Sequence, residues 1–294
     1  MHLENLDVLV TGATGFVGSR VAKTLYNAGA NVTILTRQKI DCPYNVLVAD
    51  LADKNLHFEK KFDVVCHLAS HTPLEKNKKI LYAVNYEGVK NLYNSLKGTK
   101  LFIYVSGLAV FDPAYSVITE DTPKKYDTEF VKMRIKAQEF LEANCKKSGI
   151  ALVVAYLGDI VYGDGGFFKI MISERLKKGT FRIPGDGKYI KNFIHVDDVA
   201  GAICAIIEKG DAGGYLLTDS TPIQFRDFVN FLADSLGIKR PGSVPSILAK
   251  LVLGSDAVNL LMRSASARND KIKKIYSFRY PTYIEGLKDT IPNL

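Results

Sequence analysis

Apolar residues recur along the chain in two alternating patterns. Short, largely apolar runs occur at 8–10, 32–35, 64–66, 101–105 and 151–156. Runs of this kind predict strands buried on both faces. Between them lie stretches with apolar positions at helical spacing, at 16–28, 81–96 and 130–144. Further strands are predicted at 45–49 and 214–218. A short helix is predicted at 53–58, and longer ones at 199–208, 224–236 and 245–262. Strand and helix in regular alternation predict a doubly wound α/β fold with a parallel sheet. The division expected is 1–162 for a nucleotide-binding domain and 163–294 for a smaller substrate-side domain, with 188–209 returning to the first core.

The first strand, turn and helix carry Gly12, Gly15 and Gly18, with Thr14, Phe16 and Val17 between and beside them. A glycine at 12 permits the turn, one at 15 lets backbone approach a pyrophosphate, and one at 18 lets the helix pack on the strand. The free amides and positive dipole end of the helix then face the phosphates. Strand before, helix after and a second strand beyond satisfy the context for a dinucleotide fingerprint.

Composition narrows the class. The chain has 294 residues, 47% of them hydrophobic, enough for a substantial core. Its net charge is +8, but lysines and arginines are scattered, apart from short clusters such as Lys76, Lys78 and Lys79. Without an arginine-rich arm or aromatic-interleaved stripe, nucleic acid is not an expected partner. Cys42, Cys66, Cys145 and Cys204 form no CxxC pair, which suits a reducing compartment. A strand beginning by Asp7 leaves no place for a leader, and no apolar run reaches membrane-span length. A cytoplasmic protein without membrane or metal partners is expected.

The segment Thr11-Gly12-Ala13-Thr14-Gly15-Phe16-Val17-Gly18 resembles the loop of the extended short-chain dehydrogenase/reductases, the epimerase/dehydratase branch. The similarity continues nearly to the end of the chain, through Asp50-Leu51, His67-Leu68-Ala69-Ser70, Asn85 with Gly88 and Asn91, residues 193–200, and Pro281 with Glu285-Gly286-Leu287. It implies a Rossmann-type sheet and a nicotinamide cofactor contacted by Gly12, Thr14, Gly15, Phe16, Val17, Gly18, Asp50, Leu51, Leu68, Ala69 and Ser70. The position ending strand two holds Thr36 and then Arg37, with no acid, which favours NADP over NAD. His67 and His195 fall at structural places. Asp197 or Asp198 is expected to cap the helix that follows.

The family's catalysis implies a Ser or Thr hydroxyl, a Tyr that exchanges a proton and a Lys one turn later that binds the nicotinamide ribose and lowers the Tyr pKa, which makes Lys136 a cofactor-binding residue as well. Aligned on Ala109-Val110-Phe111, the hydroxyl position falls on Gly107, with Ser106 one residue early and on the other strand face. Aligned on Lys136-Ala137-Gln138-Glu139, the lysine is Lys136, and Lys132 stands where Tyr belongs. Tyr115, Tyr126 and His71 are the alternative donors nearby. Two classes stay open: an oxidoreductase or epimerase-like enzyme on a small or nucleotide-linked substrate with a modified proton route, and a non-catalytic dinucleotide-binding sensor. A homodimer through the helices at 81–96 and 130–144 is the expected assembly.

Overall fold

The computed structural model describes residues 1–294. Seven parallel strands form the central sheet: β1 (Asp7–Thr11), β2 (Asn31–Thr36), β3 (Asn45–Val48), β4 (Val64–His67), β5 (Leu101–Gly107), β6 (Ala151–Leu157) and β7 (Gly213–Leu217). Their spatial order is β7-β6-β5-β4-β1-β2-β3. The order reverses between β1 and β4, so their carboxyl ends part around a crevice, the usual ligand position in this architecture. The strand at 214–218 of the sequence reading is β7, an edge strand of the main sheet.

Helices cover both faces. α1 (Phe16–Asn27) and a later helix, α4 (Val196–Lys209), bury one face with Val8, Val10, Ile103 and Val105 beneath them. α2 (Gly88–Ser95) and α3 (Glu129–Ser148) bury the other over Leu9, Val65, Phe102 and Tyr104. α3 starts where the Thr128 hydroxyl accepts the Val131 amide and stops where Gly149 turns left-handed at φ 71°. A third apolar cluster, built on Phe168, Phe193, Phe225, Phe228 and Leu287, holds the C-terminal portion together. Here lie α5 (Phe225–Ser235), α6 (Ser246–Leu253), α7 (Ser255–Leu261) and α8 (Tyr283–Thr290). No helix is long and apolar enough to cross a membrane.

Three local expectations change. Residues 53–58 form turns instead of a helix. The Asp50 carboxylate takes the Ala52 amide at 2.9 Å and Asp53 takes that of Asn55, so the acids close local loops that compete with a helix. The stretch 245–262 is two helices, because Gly254 adopts φ 88° and breaks it. α4 begins three residues earlier than read, capped by the His195 ring, which accepts the Asp197 amide. Asp197 and Asp198 sit inside the first turn, where their charge suits the helix dipole.

Candidate cofactor and substrate site

Gly12 has φ +72°, and a Cβ there would lie 2.7 Å from the Ala69 amide nitrogen. A Cβ on Gly18 would fall 2.1 Å from the Gly12 carbonyl oxygen. Neither position tolerates a side chain, so β1, α1 and the end of β4 close together only through glycine. α1 starts at Gly15 with no side-chain cap. Its first amides are left for a ligand, and Thr14 and Gly15 are exposed at the tip. A diphosphate fits this cradle: bare backbone, a helix start and no carboxylate.

The surrounding residues of the sequence reading gather along the same edge. Arg37 follows β2 and is exposed, while the Thr36 hydroxyl is tied to the Gln38 carbonyl at 2.7 Å. Asp50 is exposed, and Leu51 is buried beneath Gly88. Leu68 and Ala69 are half-buried, with the Ala69 amide bonded to the Thr11 hydroxyl, and Ser70 is exposed. The Ser70–His71 turn is pinned by Asn85, whose carbonyl takes the His71 amide at 2.8 Å and whose amide donates to the His71 carbonyl. Asn85 lies in a π-helical turn, Ala83–Glu87, just before α2. Asn91 donates to the Leu51 carbonyl.

His67 is structural. It is fully buried, 2.8 Å from the Thr11 hydroxyl through Nδ1 and stacked on Tyr104. Burial first, and then the Arg134 charge, lower its pKa to about 3, so the ring is neutral at ordinary pH.

Neither lysine lies among the buried, sheet-facing positions of α3. Lys136 is exposed on the outer side of the helix. Lys132 is paired with Glu129 at 2.8 Å, and that bond raises its pKa. A neutral Lys132 acting as proton donor is therefore disfavoured. The sheet-facing positions are Val131, Arg134, Ile135, Gln138 and Leu141. Arg134 is the basic residue among them. Its guanidinium lies 4.6 Å over the Tyr104 ring and donates to the Val105 carbonyl near the end of β5. It was not singled out in the sequence, although the apolar spacing at 131, 135 and 141 marks that face. One turn earlier stands Phe130, half-buried against the same core.

Other hydroxyls also lie elsewhere. Ser106 is buried with its Oγ unpartnered, whereas Gly107, the next residue, is half-exposed. The Tyr126 hydroxyl bonds Glu139, and burial together with that bond raises its pKa to about 12. Tyr115 is exposed in the loop after β5. His71 faces Glu75 at 3.8 Å.

From the C-terminal portion, Gly163, Gly165 and Gly166 wrap the Phe16 ring of α1. Cβ atoms at these glycines would come within 3.0, 2.8 and 2.5 Å of that ring. Arg20 of α1 pairs with Asp164 in the same loop at 2.5 Å and with Asp197 of α4 at 3.3 Å.

The sheet order, the crevice at its switch point and the glycine cradle define a doubly wound dinucleotide-binding protein. The NAD dependent epimerase/dehydratase family matches residues 8–216, and the chain belongs to that family. With this cradle and this membership, its cofactor is a nicotinamide dinucleotide. It is 27% identical over 307 residues to a Streptomyces 3-diazoavenalumate denitrifying reductase, covering 96% of this chain and 99% of that one. It is 24% identical over 300 residues to the mouse epimerase family protein SDR39U1, covering 97% and 100%. Among solved structures, human SDR39U1 with NADPH superposes with TM-score 0.82 at 21% identity, over 98% of this chain and 99% of that one. MoeE5 in complex with UDP-glucuronic acid and NAD superposes equally well, with 22% identity and 98% coverage of both chains. At these identities the superpositions establish the fold.

Proposed function

We propose that this chain is an NADP-preferring oxidoreductase acting on a small molecule. The observation that carries the preference is the end of β2, where exposed Arg37 stands with no acid beside it. A carboxylate there would accept a ribose 2′-hydroxyl and repel a 2′-phosphate, whereas a guanidinium attracts the phosphate. Human SDR39U1, of the same fold, was solved with NADPH, which agrees with this reading. When bound, the nicotinamide supplies a hydride donor or acceptor. Titration calorimetry is expected to give at least tenfold tighter binding of NADPH than of NADH, with Arg37→Glu removing the difference. Equal affinity for the two in the unaltered protein would sink the preference.

In this reading Phe130 and Arg134 take the places of the family's Tyr and Lys, two residues before the lysines that the sequence aligns there. Arg134 would supply the positive charge toward the inner ribose, and with Phe130 and Gly107 at the other two places no hydroxyl would face the reacting carbon. The proton that follows hydride transfer to a carbonyl would then come from solvent. The same missing hydroxyls favour a second reading, a dinucleotide-binding sensor without turnover. NADPH consumption with any carbonyl substrate excludes the sensor. The free, mainly buried cysteines suit a cytoplasmic setting. Exposed Tyr82 and Tyr126, flanking α2 and α3, suit a homodimer.

A further inference from the structure

A recess of about 380 Å³ opens on the C-terminal portion, between residues 176–182 and residues 239–242. A volume of that order is enough for a small molecule. The recess lies at the amino ends of two paired short strands, Ile183–Pro184 and Ser243–Val244. The other end of this pair leads toward the cofactor edge. There Gly185 lies against Met262, and the next residue, Arg263, bonds the Ala109 carbonyl just past β5. The recess is therefore separate from the crevice at the switch point of the sheet.

Its lining has two parts. Buried Leu176 and half-buried Phe181 and Pro241 form an apolar wall. Phe181 is backed by Phe225 of α5, with ring centroids 6.4 Å apart, which holds the wall in place. The charged lining is entirely basic: Arg182, Lys239 and Arg240. Arg240 is spent on Asp234, which it grips through two nitrogens at 2.9 and 2.7 Å. Arg182 is anchored but not neutralised. Its Nη1 donates to the Gly179 and Phe181 carbonyls at 2.9 and 2.7 Å, and its other nitrogens stay open. Neither Arg182 nor Lys239 has a carboxylate partner. The backbone amides of Lys239, Arg240 and Gly242 make no hydrogen bond within the chain, so the same loop offers three further donors. Around the recess, residues 174–182 and 234–242 carry six lysines and arginines against Glu174 and Asp234 alone.

Two uncompensated cations and free amides beside an apolar wall match a doubly charged head on an apolar body. A phosphate monoester has that form, with about two negative charges at neutral pH and three acceptor oxygens. We propose that this recess binds a small phosphate monoester, its phosphoryl group on Arg182 and Lys239 and its organic body against Phe181 and Pro241. The site is independent of the nicotinamide crevice.

The test uses the full chain with saturating NADPH, which keeps the glycine cradle closed to the probes. The probes are phenyl phosphate, inorganic phosphate and benzyl alcohol, at about 0.15 M salt, where diffuse attraction is screened. Ligand-observed NMR titration is expected to show phenyl phosphate binding at least tenfold tighter than benzyl alcohol and at least threefold tighter than inorganic phosphate. Arg182→Gln and Lys239→Gln, both at exposed positions, are each expected to weaken phenyl phosphate at least fivefold and to leave NADPH affinity unchanged. Lys273→Gln, at an exposed lysine elsewhere in the C-terminal portion, is expected to change neither. Phenyl phosphate binding no better than benzyl alcohol, or undiminished in the Arg182 and Lys239 variants, overturns the proposal. A loss shared equally by Lys273→Gln overturns it too, since it would mark diffuse attraction to a basic surface. Capture by phosphatidate vesicles without binding of phenyl phosphate would make this face a membrane contact and likewise overturns it. Failure of NADPH to bind the unaltered chain strikes the cofactor reading alone.

Discussion

Asp219 shows how much a single buried atom can govern. The residue is 1% exposed, its Oδ1 takes the Thr221 amide at 3.0 Å, and its Oδ2 has no partner. Burial raises its pKa to about 7, against the Thr221 bonds that favour the charged form, and the charges of Asp198 and Glu285 add to the rise. The folded state therefore holds this proton more tightly than the unfolded chain does. The resulting stability is full below about pH 4 and is lost as pH rises through about 7. Asp219→Asn should flatten that slope and exceed the parent by on the order of 2 kcal/mol at pH 8, with little difference at pH 4. Urea unfolding at the two pH values checks this; parallel pH profiles would refute it. Nothing in the local sequence Thr218-Asp219-Ser220 announces the effect, since it arises from burial and from Asp198 and Glu285, brought in from distant segments.

At the scale of the element, α3 decides which basic residue turns toward the sheet. Lys132, Arg134 and Lys136 lie within about one turn, and a motif aligned on Lys136 and Glu139 selects the outer pair. The helix is fixed instead by Val131, Ile135, Gln138 and Leu141 packing on β5 and β6, and that turns Arg134 inward. The strands, the glycine loop and the buried faces were legible because each rests on local spacing. The helix register was legible too, but only from the apolar positions and not from the charged ones. The turn at 53–58 was missed because Asp50 and Asp53 can cap a helix or close a loop equally well from sequence alone. Lys136→Ala should leave NADPH affinity and stability within about 0.5 kcal/mol of the parent, the usual range for an exposed site. Arg134→Leu should weaken NADPH at least tenfold. Titration of both variants tests the assignment, and equal losses would return the site to the lysines.

Across the whole molecule, the sheet's two faces and the C-terminal cluster are separate apolar cores joined at few places. One junction is the glycine loop around Phe16, secured by the Arg20 pairs. Another is Arg263, tying the segment after α7 to the end of β5. Gly166 has φ +65°, and a Cβ there would lie 2.5 Å from the ring, so Gly166→Ala meets both backbone strain and overlap. It should cost about 1–3 kcal/mol, seen as a lower melting temperature, and it should weaken NADPH although residue 166 lies outside the phosphate cradle. A variant that loses stability but keeps full NADPH affinity would show that the loop only supports the fold.

The grip on Phe16 has one more effect. The ring follows directly on the glycine loop, and the glycines holding it belong to the C-terminal portion. A displacement of residues 163–166 is therefore passed through Phe16 to the first turn of α1 and to the cradle beside it.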